Sequence, residues 1–352
     1  MNYPFAERYD DSQYILLNSN INPFGPSPLA LKAINENLRK INLYPSRDEH
    51  LELKKQLVIK LREEKINTTP KNIVLGNGSD EVIEFVVKLA ILKFKKPKVI
   101  VGEKTFAFYE YCARTYGLDV LKVKLKEYSY DINQILDVAS KNQPCIIMLC
   151  NPINPTGKII TKKELEYLID NLPDDTFLLS DEAYFEFAFH LNNKDWRSDD
   201  YRSVLHISSK PNIFVSRTFS KAYGLAGIRL GYLISDFSEE IEHTISPPFN
   251  VNYLALKAGI YALKDRDFVQ KTLENNLMGM RILESIEESV PSWANFALIK
   301  LKKNTTYNEL KQKGILTRDM SSYGFDNLIR VSVGKIEDME LFQKIFRKIE
   351  NQ

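Results

Sequence analysis

Cysteine, histidine and long apolar runs are all scarce in this chain of 352 residues, and each scarcity excludes something. The three cysteines, Cys112, Cys145 and Cys150, form an odd set without metal-type spacing. Cys145 and Cys150 share one apolar run, so they are expected to pack in a core rather than to ligate or react. The four histidines, His50, His190, His206 and His243, show no metal spacing either and read as surface or capping residues. No metal site is expected. No apolar run approaches the ~18 residues of a membrane helix; residues 82–94 are interrupted by Glu84, Lys88 and Lys93. An excess of one charge is also missing: the formal net charge is +2, with Lys and Glu interspersed. Neither nucleic acid nor an anionic membrane is indicated as a partner. The basic runs 93–98 and 122–126 read as solvated faces flanking strands. The polar start Met1–Asp11 has no signal-peptide pattern and, with the unpaired cysteines, implies a cytoplasmic protein. Internal repeats and low-complexity segments are absent.

What is present is an ordinary globular composition, 44% hydrophobic and 27% charged, at a length that suggests two domains. Between Ile73 and Ile234 short apolar runs alternate with amphipathic stretches. Strands are expected at 73–75, 99–102, 120–125, 146–150, 177–180, 213–216 and 231–234. Helices are expected between them at 80–92, 108–116 and 162–171, the last opened by a Thr161/Glu164 capping box. This alternation predicts an α/β fold, a mostly parallel, doubly wound seven-stranded sheet covered on both faces. Pro247-Pro248 breaks the chain, and one long helical pattern follows from Tyr253 to about Glu288. The end reads as a small α+β unit with strands at 296–301 and 329–333 and helices at 307–313 and 338–349.

The most informative stretch is Phe219-Ser220-Lys221-Ala222-Tyr223-Gly224-Leu225-Ala226-Gly227-Ile228-Arg229. Lys221 lies behind Thr218 and Ser220 at the end of an apolar run, with an arginine eight residues on. A lysine that must lose its proton to form a Schiff base needs a shielded site with cationic or polar neighbours. The hydroxyls and the arginine suit a phosphate. Together they describe a pyridoxal 5′-phosphate (PLP) site, although this stretch alone fits an exposed Lys–Arg helix start equally well. Three further apolar runs end in polar or glycine residues: Gly76-Asn77-Gly78-Ser79-Asp80-Glu81, Asn151-Pro152-Ile153-Asn154-Pro155-Thr156-Gly157 and Asp181-Glu182-Ala183-Tyr184. Strand carboxyl ends line the ligand crevice in open α/β sheets. Taken singly, the aspartate could be a helix cap and the Asn-Pro repeat a turn.

In this order, the NPxNPTG, DEAY and SK-x7-R motifs resemble the fold-type I PLP enzymes, specifically the class II aminotransferases that include histidinol-phosphate aminotransferase. The resemblance runs from about Leu17 to Gly334. It implies an N-terminal arm (1–30) packed with the small domain, a large PLP-binding domain (31–246), and an interdomain helix with a small C-terminal domain (247–352). It implies that Lys221 is the Schiff-base lysine and proton shuttle. Asp181 would face the pyridine nitrogen and keep it protonated, while Asn154 and Tyr184 would bond the ring hydroxyl. The cofactor phosphate would lie on the backbone N–H groups of Ser79 and Asp80 after Gly78, where a helix N-terminus attracts anions. Thr218, Ser220 and Arg229 would complete that cradle, and Phe106 would stack on the ring. Tyr44 would reach the phosphate of the neighbouring subunit, making a homodimer with shared sites. Asn22 would touch the substrate, Arg330 would hold its α-carboxylate and Arg318 a substrate phosphate.

The chain departs from that pattern at the substrate end. The Tyr-x-Pro-Gly segment near the start is missing, Asn20-Ile21-Asn22-Pro23 replaces the usual Asn-Glu-Asn-Pro, and the stretch 190–212 is long. The implied activity is transfer of an amino group between glutamate and a small phosphorylated ketone or amine. Histidinol phosphate and a smaller compound such as a triose phosphate are both candidates, and the short arm favours the smaller one. The alternative is a PLP-dependent decarboxylase of a phosphorylated amino acid, resembling the threonine-phosphate decarboxylases. A PLP fold without catalysis is opposed by the joint retention of Lys221, Asp181, Asn154 and Arg229.

Overall fold

The structure, a computed structural model, describes residues 13–192 and 200–351. Its centre is a seven-stranded sheet. The strands are β1 (Ile73–Gly76), β2 (Lys98–Gly102), β3 (Val120–Val123), β4 (Cys145–Cys150), β5 (Thr176–Asp181), β6 (Ile213–Thr218) and β7 (Gly231–Ile234). Their spatial order is β1-β7-β6-β5-β4-β2-β3, parallel except for β7, which runs antiparallel to both neighbours. Every residue of β4, β5 and β6 is buried, so both faces of the sheet are covered. Because these strands run parallel, the residues after β1, β4, β5 and β6 arrive at the same edge.

Helices α1 (Pro28–Asn37), α2 (Arg47–Glu63), α3 (Gly78–Phe94), α4 (Phe108–Thr115), α5 (Ile132–Lys141), α6 (Lys162–Asp170), α7 (Phe185–Asn192) and α8 (Ser238–Thr244) accompany the sheet. The capping box at Thr161 forms as expected. Residues 120–125, expected as one strand, divide after Val123. Leu125–Lys126 folds back on Ser129–Tyr130 in a two-residue hairpin. Glu127 and Tyr128 both take positive φ (49° and 69°), the twist that such a turn requires.

The single long helix expected after Pro248 is two helices, α9 (Tyr253–Lys264) and α10 (Arg266–Glu284). The break is Asp265, whose carboxylate accepts hydrogen bonds from Ser27 Oγ (2.6 Å) and the Leu29 N–H (3.1 Å) at the start of α1. An exposed helix end is thereby capped at the expense of helix continuity. A second, three-stranded antiparallel sheet follows, formed by β8 (Phe296–Lys300), β9 (Arg318–Asp319) and β10 (Leu328–Ser332) in the order β8-β10-β9. With α11 (Thr306–Gln312) and α12 (Ile336–Glu350) it encloses a separate core around Ile299, Val331, Met339 and Phe342. Ile15–Leu16 pairs in parallel with Ile315–Leu316 in a separate two-stranded sheet, which ties the start of the described chain to the segment just before β9.

Candidate active site

At the end of β1, helix α3 begins at Gly78 with no side chain capping its first N–H groups. Glu81 turns back to accept the Asn77 N–H (2.7 Å), leaving the Ser79 and Asp80 end facing a cavity of about 360 Å³. Gly78 has φ +79°, and a Cβ there would fall 2.6 Å from Arg229 Nη2, so only glycine lets the guanidinium approach. Arg229 pairs with Asp80 Oδ2 at 3.1 Å. Burial nevertheless pushes the Asp80 carboxyl up, against the pull of Arg229 and Lys221. Thr218 Oγ1 donates to Ser220 Oγ (2.9 Å) and accepts the Ser220 N–H (3.1 Å), which turns the chain sharply at the end of β6. Gly224, at φ +69°, closes the next turn, and a Cβ on it would fall 2.0 Å from the Gly25 carbonyl oxygen.

That turn aims Lys221 into the cavity, with Nζ 5.7 Å from the Tyr184 ring centroid. Burial first, then the neighbouring Arg330, brings the Lys221 ammonium down to about 8. Asp181, at the end of β5, is 3% exposed and pushed up to about 6 by burial. It accepts from Tyr109 (2.7 Å), Ser216 (3.0 Å) and the Ala183 N–H (3.2 Å), and among the described residues no cation bonds it. Both groups are poised between protonation states, as proton transfer near neutral pH requires.

Strand β10 supplies the opposite wall. Arg330 donates Nη1 to Asn154 Oδ1 (2.7 Å) and Nη2 to the Asn18 carbonyl (3.0 Å), while its buried Nε has no partner. Arg318 lies directly across from it in register. Burial and then Arg318 lower the Arg330 guanidinium from its usual value. Like charges opposite one another on adjacent strands are unfavourable unless an anion lies between them. Among the described residues no carboxylate pairs with either arginine.

The cavity thus gathers Ser79, Asp80, Phe106, Asn154, Asp181 and Tyr184 with Thr218, Ser220, Lys221, Arg229, Arg318 and Arg330. Two expected residues lie elsewhere. Asn22 is not a lining residue. Its amide donates to the Ala222 carbonyl (2.9 Å) and Thr272 Oγ1 (3.0 Å), bracing the loop behind Lys221. Asn18, Ser19 and Asn20 line the cavity instead. Tyr44 is 79% exposed and packs at a tilt against Phe249, ring centroids 4.8 Å apart, and it does not line its own chain's cavity. Tyr109, Ser216 and Tyr323 were not legible in the motifs. Their only signal was position, on the helix after β2, inside β6 and in the loop before β10. Cys150 is buried as expected but also reaches the cavity, where its thiol meets the Asn154 N–H at 3.4 Å. His206 is half-buried and takes the second of the two expected roles, a cap: its Nε2 lies 2.7 Å from the Glu64 carbonyl at the end of α2. Of the stretch 190–212, residues 193–199 lie outside the described residues, as does the start Met1–Asp11. No helix among the described residues is long and apolar enough to cross a membrane, and no cluster there could hold a metal ion.

A shielded lysine, an uncompensated buried aspartate and a glycine-cleared helix start fit a cofactor bearing an aldehyde, a ring nitrogen and a phosphate. The comparisons agree. Residues 12–345 match the family described as aminotransferase class I and II. The histidinol-phosphate aminotransferase 2 of Carboxydothermus hydrogenoformans is 37% identical over 327 residues, covering 90% of this chain and 86% of its own. The histidinol-phosphate aminotransferase of Sulfurimonas denitrificans is 33% identical over 344 residues, covering 95% and 90%. Among solved structures, the histidinol-phosphate aminotransferase of Sinorhizobium meliloti in complex with pyridoxal-5′-phosphate matches with a TM-score of 0.79 and 25% identity, over 95% of this chain and 90% of that one. The chain belongs to the class I and II aminotransferases, enzymes of fold type I whose cofactor is PLP.

Proposed function

We propose that this enzyme moves an amino group between glutamate and a small phosphorylated ketone–amine pair. The observation that carries this reading is the facing pair Arg318 and Arg330, free of carboxylate partners among the described residues and opening on the same cavity as Lys221. Two guanidinium groups suit two anions, an α-carboxylate at Arg330 and a phosphate or side-chain carboxylate at Arg318. The names of the relatives support a phosphorylated substrate and make histidinol phosphate the first to test.

Bound PLP supplies an electron sink for the bond broken at the substrate Cα. The chain's own residues do the rest. Lys221 would hold the cofactor and, once free, carry a proton at Nζ to and from the substrate Cα. Its depression to about 8 leaves an appreciable share of neutral amine near neutral pH. Asp181 faces the ring nitrogen, and Tyr109 and Ser216 hold its carboxylate in place. Asn154 and Tyr184 would hold the ring hydroxyl and Phe106 the face of the ring, all three lining the cavity. The Ser79 and Asp80 N–H groups, Thr218, Ser220 and Arg229 cradle the phosphate. Residues 31–246 form the cofactor domain, and 1–30 with 247–352 supply the substrate side. The exposed apolar patch of Ile41, Leu43, Tyr44 and Phe249 supports a homodimer in which Tyr44 completes the partner's phosphate site. Three free cysteines, all buried, fit a reducing cytoplasm.

The test is a screen of phosphorylated amines, histidinol phosphate and smaller ones, each with 2-oxoglutarate, and of phosphorylated amino acids alone. Formation of glutamate that disappears in Lys221→Ala is the expected result. Release of CO2 without glutamate would replace this reading by the decarboxylase. Full activity in a species that sediments as a monomer would reject the shared site.

A further inference from the structure

Asn20 sits where the N-terminal segment, strand β10 and the cavity meet, and its bonds leave no freedom in where the protons point. It is 2% exposed, with φ 54°, a left-handed conformation that asparagine tolerates better than most residues. Its backbone N–H donates to Ser332 Oγ (2.8 Å), and its carbonyl accepts from Asn295 Nδ2 (3.2 Å). Its side chain places Oδ1 2.7 Å from Ser332 Oγ and Nδ2 3.0 Å from the Tyr184 hydroxyl.

A backbone N–H can only donate, so the Ser332 oxygen accepts it and the single Ser332 proton goes to Asn20 Oδ1. The opposite amide orientation would leave the proton of this buried hydroxyl, 1% exposed, without an acceptor. Nδ2 therefore faces Tyr184. An amide nitrogen also only donates, so the Tyr184 oxygen accepts and its own proton is directed elsewhere. Tyr184 is buried and lines the cavity, which is the remaining direction.

We infer that Asn20, pinned by Ser332, is a positioning residue that makes the Tyr184 hydroxyl a proton donor into the cavity, toward the ring oxygen of the cofactor. This rests on the placement of Tyr184 proposed above. Asn154 is arranged in the same way by a different residue: Arg330 takes its Oδ1, which leaves its Nδ2 to donate. Arg330 and Ser332 are two residues apart on β10 and so share one side of the strand. One strand of the smaller sheet thus sets the donor direction of both groups that face the ring hydroxyl.

The readout is the pH at which the visible absorbance of the PLP-loaded protein changes. A donor to the ring oxygen favours its anion, which is most exposed when the adjoining nitrogen carries no proton. Loss of the donor therefore raises that pH. Asn20→Ala is expected to raise it by about one unit, the order of one hydrogen bond to a charged group. Asn20→Asp, close in shape but accepting rather than donating, should raise it more, because the Tyr184 proton turns toward the new carboxylate. Tyr184→Phe should raise it as well, and Asn20→Ala should add little in the Tyr184→Phe background. If Asn20→Ala fails to fold, Asn20→Asp and Ser332→Ala carry the test. An equal shift from Asn20→Ala in both backgrounds overturns the inference. So does a shift in Tyr184→Phe with none in the Asn20 variants, while the placement of Tyr184 then stands. No shift in any variant overturns both. Borohydride that fails to fix PLP on Lys221 rejects the whole cofactor reading.

Discussion

The two faces of strands β5 and β6 are built from adjacent residues and treat charge in opposite ways. Asp181 and Thr218 line the cavity, and Ser216 donates to Asp181 (3.0 Å). Glu182 and Arg217, their immediate neighbours, point to the other side. There Arg217, 1% exposed, donates to Glu64 (2.6 Å) and twice to Glu182 (3.1 and 2.9 Å), and its guanidinium lies 3.5 Å from the Phe185 ring centroid. Ser203 Oγ (2.8 Å) and the Val204 N–H (3.1 Å) fill the remaining oxygen of Glu182. Burial would raise the Glu64 carboxyl, but Arg217 and then Lys60 outweigh it and hold it below its usual value. A third acid on this side, Glu186, is pushed up to about 7 by burial, so part of the excess negative charge is removed by a proton. On the cavity face, among the described residues, no cation bonds Asp181 and no carboxylate bonds Arg330, and Lys221 is depressed. The contrast separates a charge network completed by the chain from one that awaits a ligand. Perturbed groups collect where the protein leaves its charges for something else to satisfy.

Breaking the completed side should have the largest effect on stability. Arg217→Met takes the guanidinium from between Glu64 and Glu182, leaving Glu64 with Lys60 alone and Glu182 without its counter-charge. Urea unfolding of the apoprotein should show a loss of about 3–5 kcal/mol. A change below about 0.5 kcal/mol would mean that the network is replaceable, and the contrast between the two faces would fail.

Breaking the incomplete side should have the opposite sign. Asp181 is raised from the usual 3.8 to about 6, so the folded state gains from its proton at low pH and loses that gain as pH rises through about 6. Above that, the ionised group costs the apoprotein up to about 3 kcal/mol, from 1.36 kcal/mol per unit. Asp181→Asn apoprotein should be more stable than the parent at about pH 7.5, with the gap shrinking toward about pH 5. The same variant should bind PLP more weakly. A gap independent of pH would rule out the ionisation as its cause.

The smallest effects sharpen the comparison within the cavity. Arg330→Ala should weaken the glutamate half-reaction by about 1.5–3 kcal/mol in kcat/KM, the order of a lost charged hydrogen bond. Arg318→Ala should penalise the phosphorylated partner more than its unphosphorylated analogue. Equal losses for the two substrates in Arg318→Ala would show that this guanidinium does not grip the phosphate.

The sequence alone determined the parts that local rules specify. Apolar runs ending in glycine or polar residues predicted the sheet, and strands expected at 73–75, 146–150 and 231–234 appear within a residue or two. The parallel sheet then brought Ser79, Asn154, Asp181 and Lys221 together from four separate loops, because parallel strands deliver their following residues to one edge. What only tertiary structure decided depends on partners distant in sequence. The break at Asp265 answers a cap needed by Ser27, and a helical pattern cannot reveal that demand. Asn22 and Asn20 stand two residues apart in one motif. Only the packing of residues 222, 272 and 332 against them decides that Asn22 braces a loop while Asn20 reaches Tyr184. The protonation preference of Asp181 likewise comes from burial, and that of Lys221 from burial and then from Arg330, which no spacing along the chain encodes. Periodicity reports which side of an element is apolar; the direction of a hydrogen bond and the cost of a buried charge are set by whatever the fold places opposite.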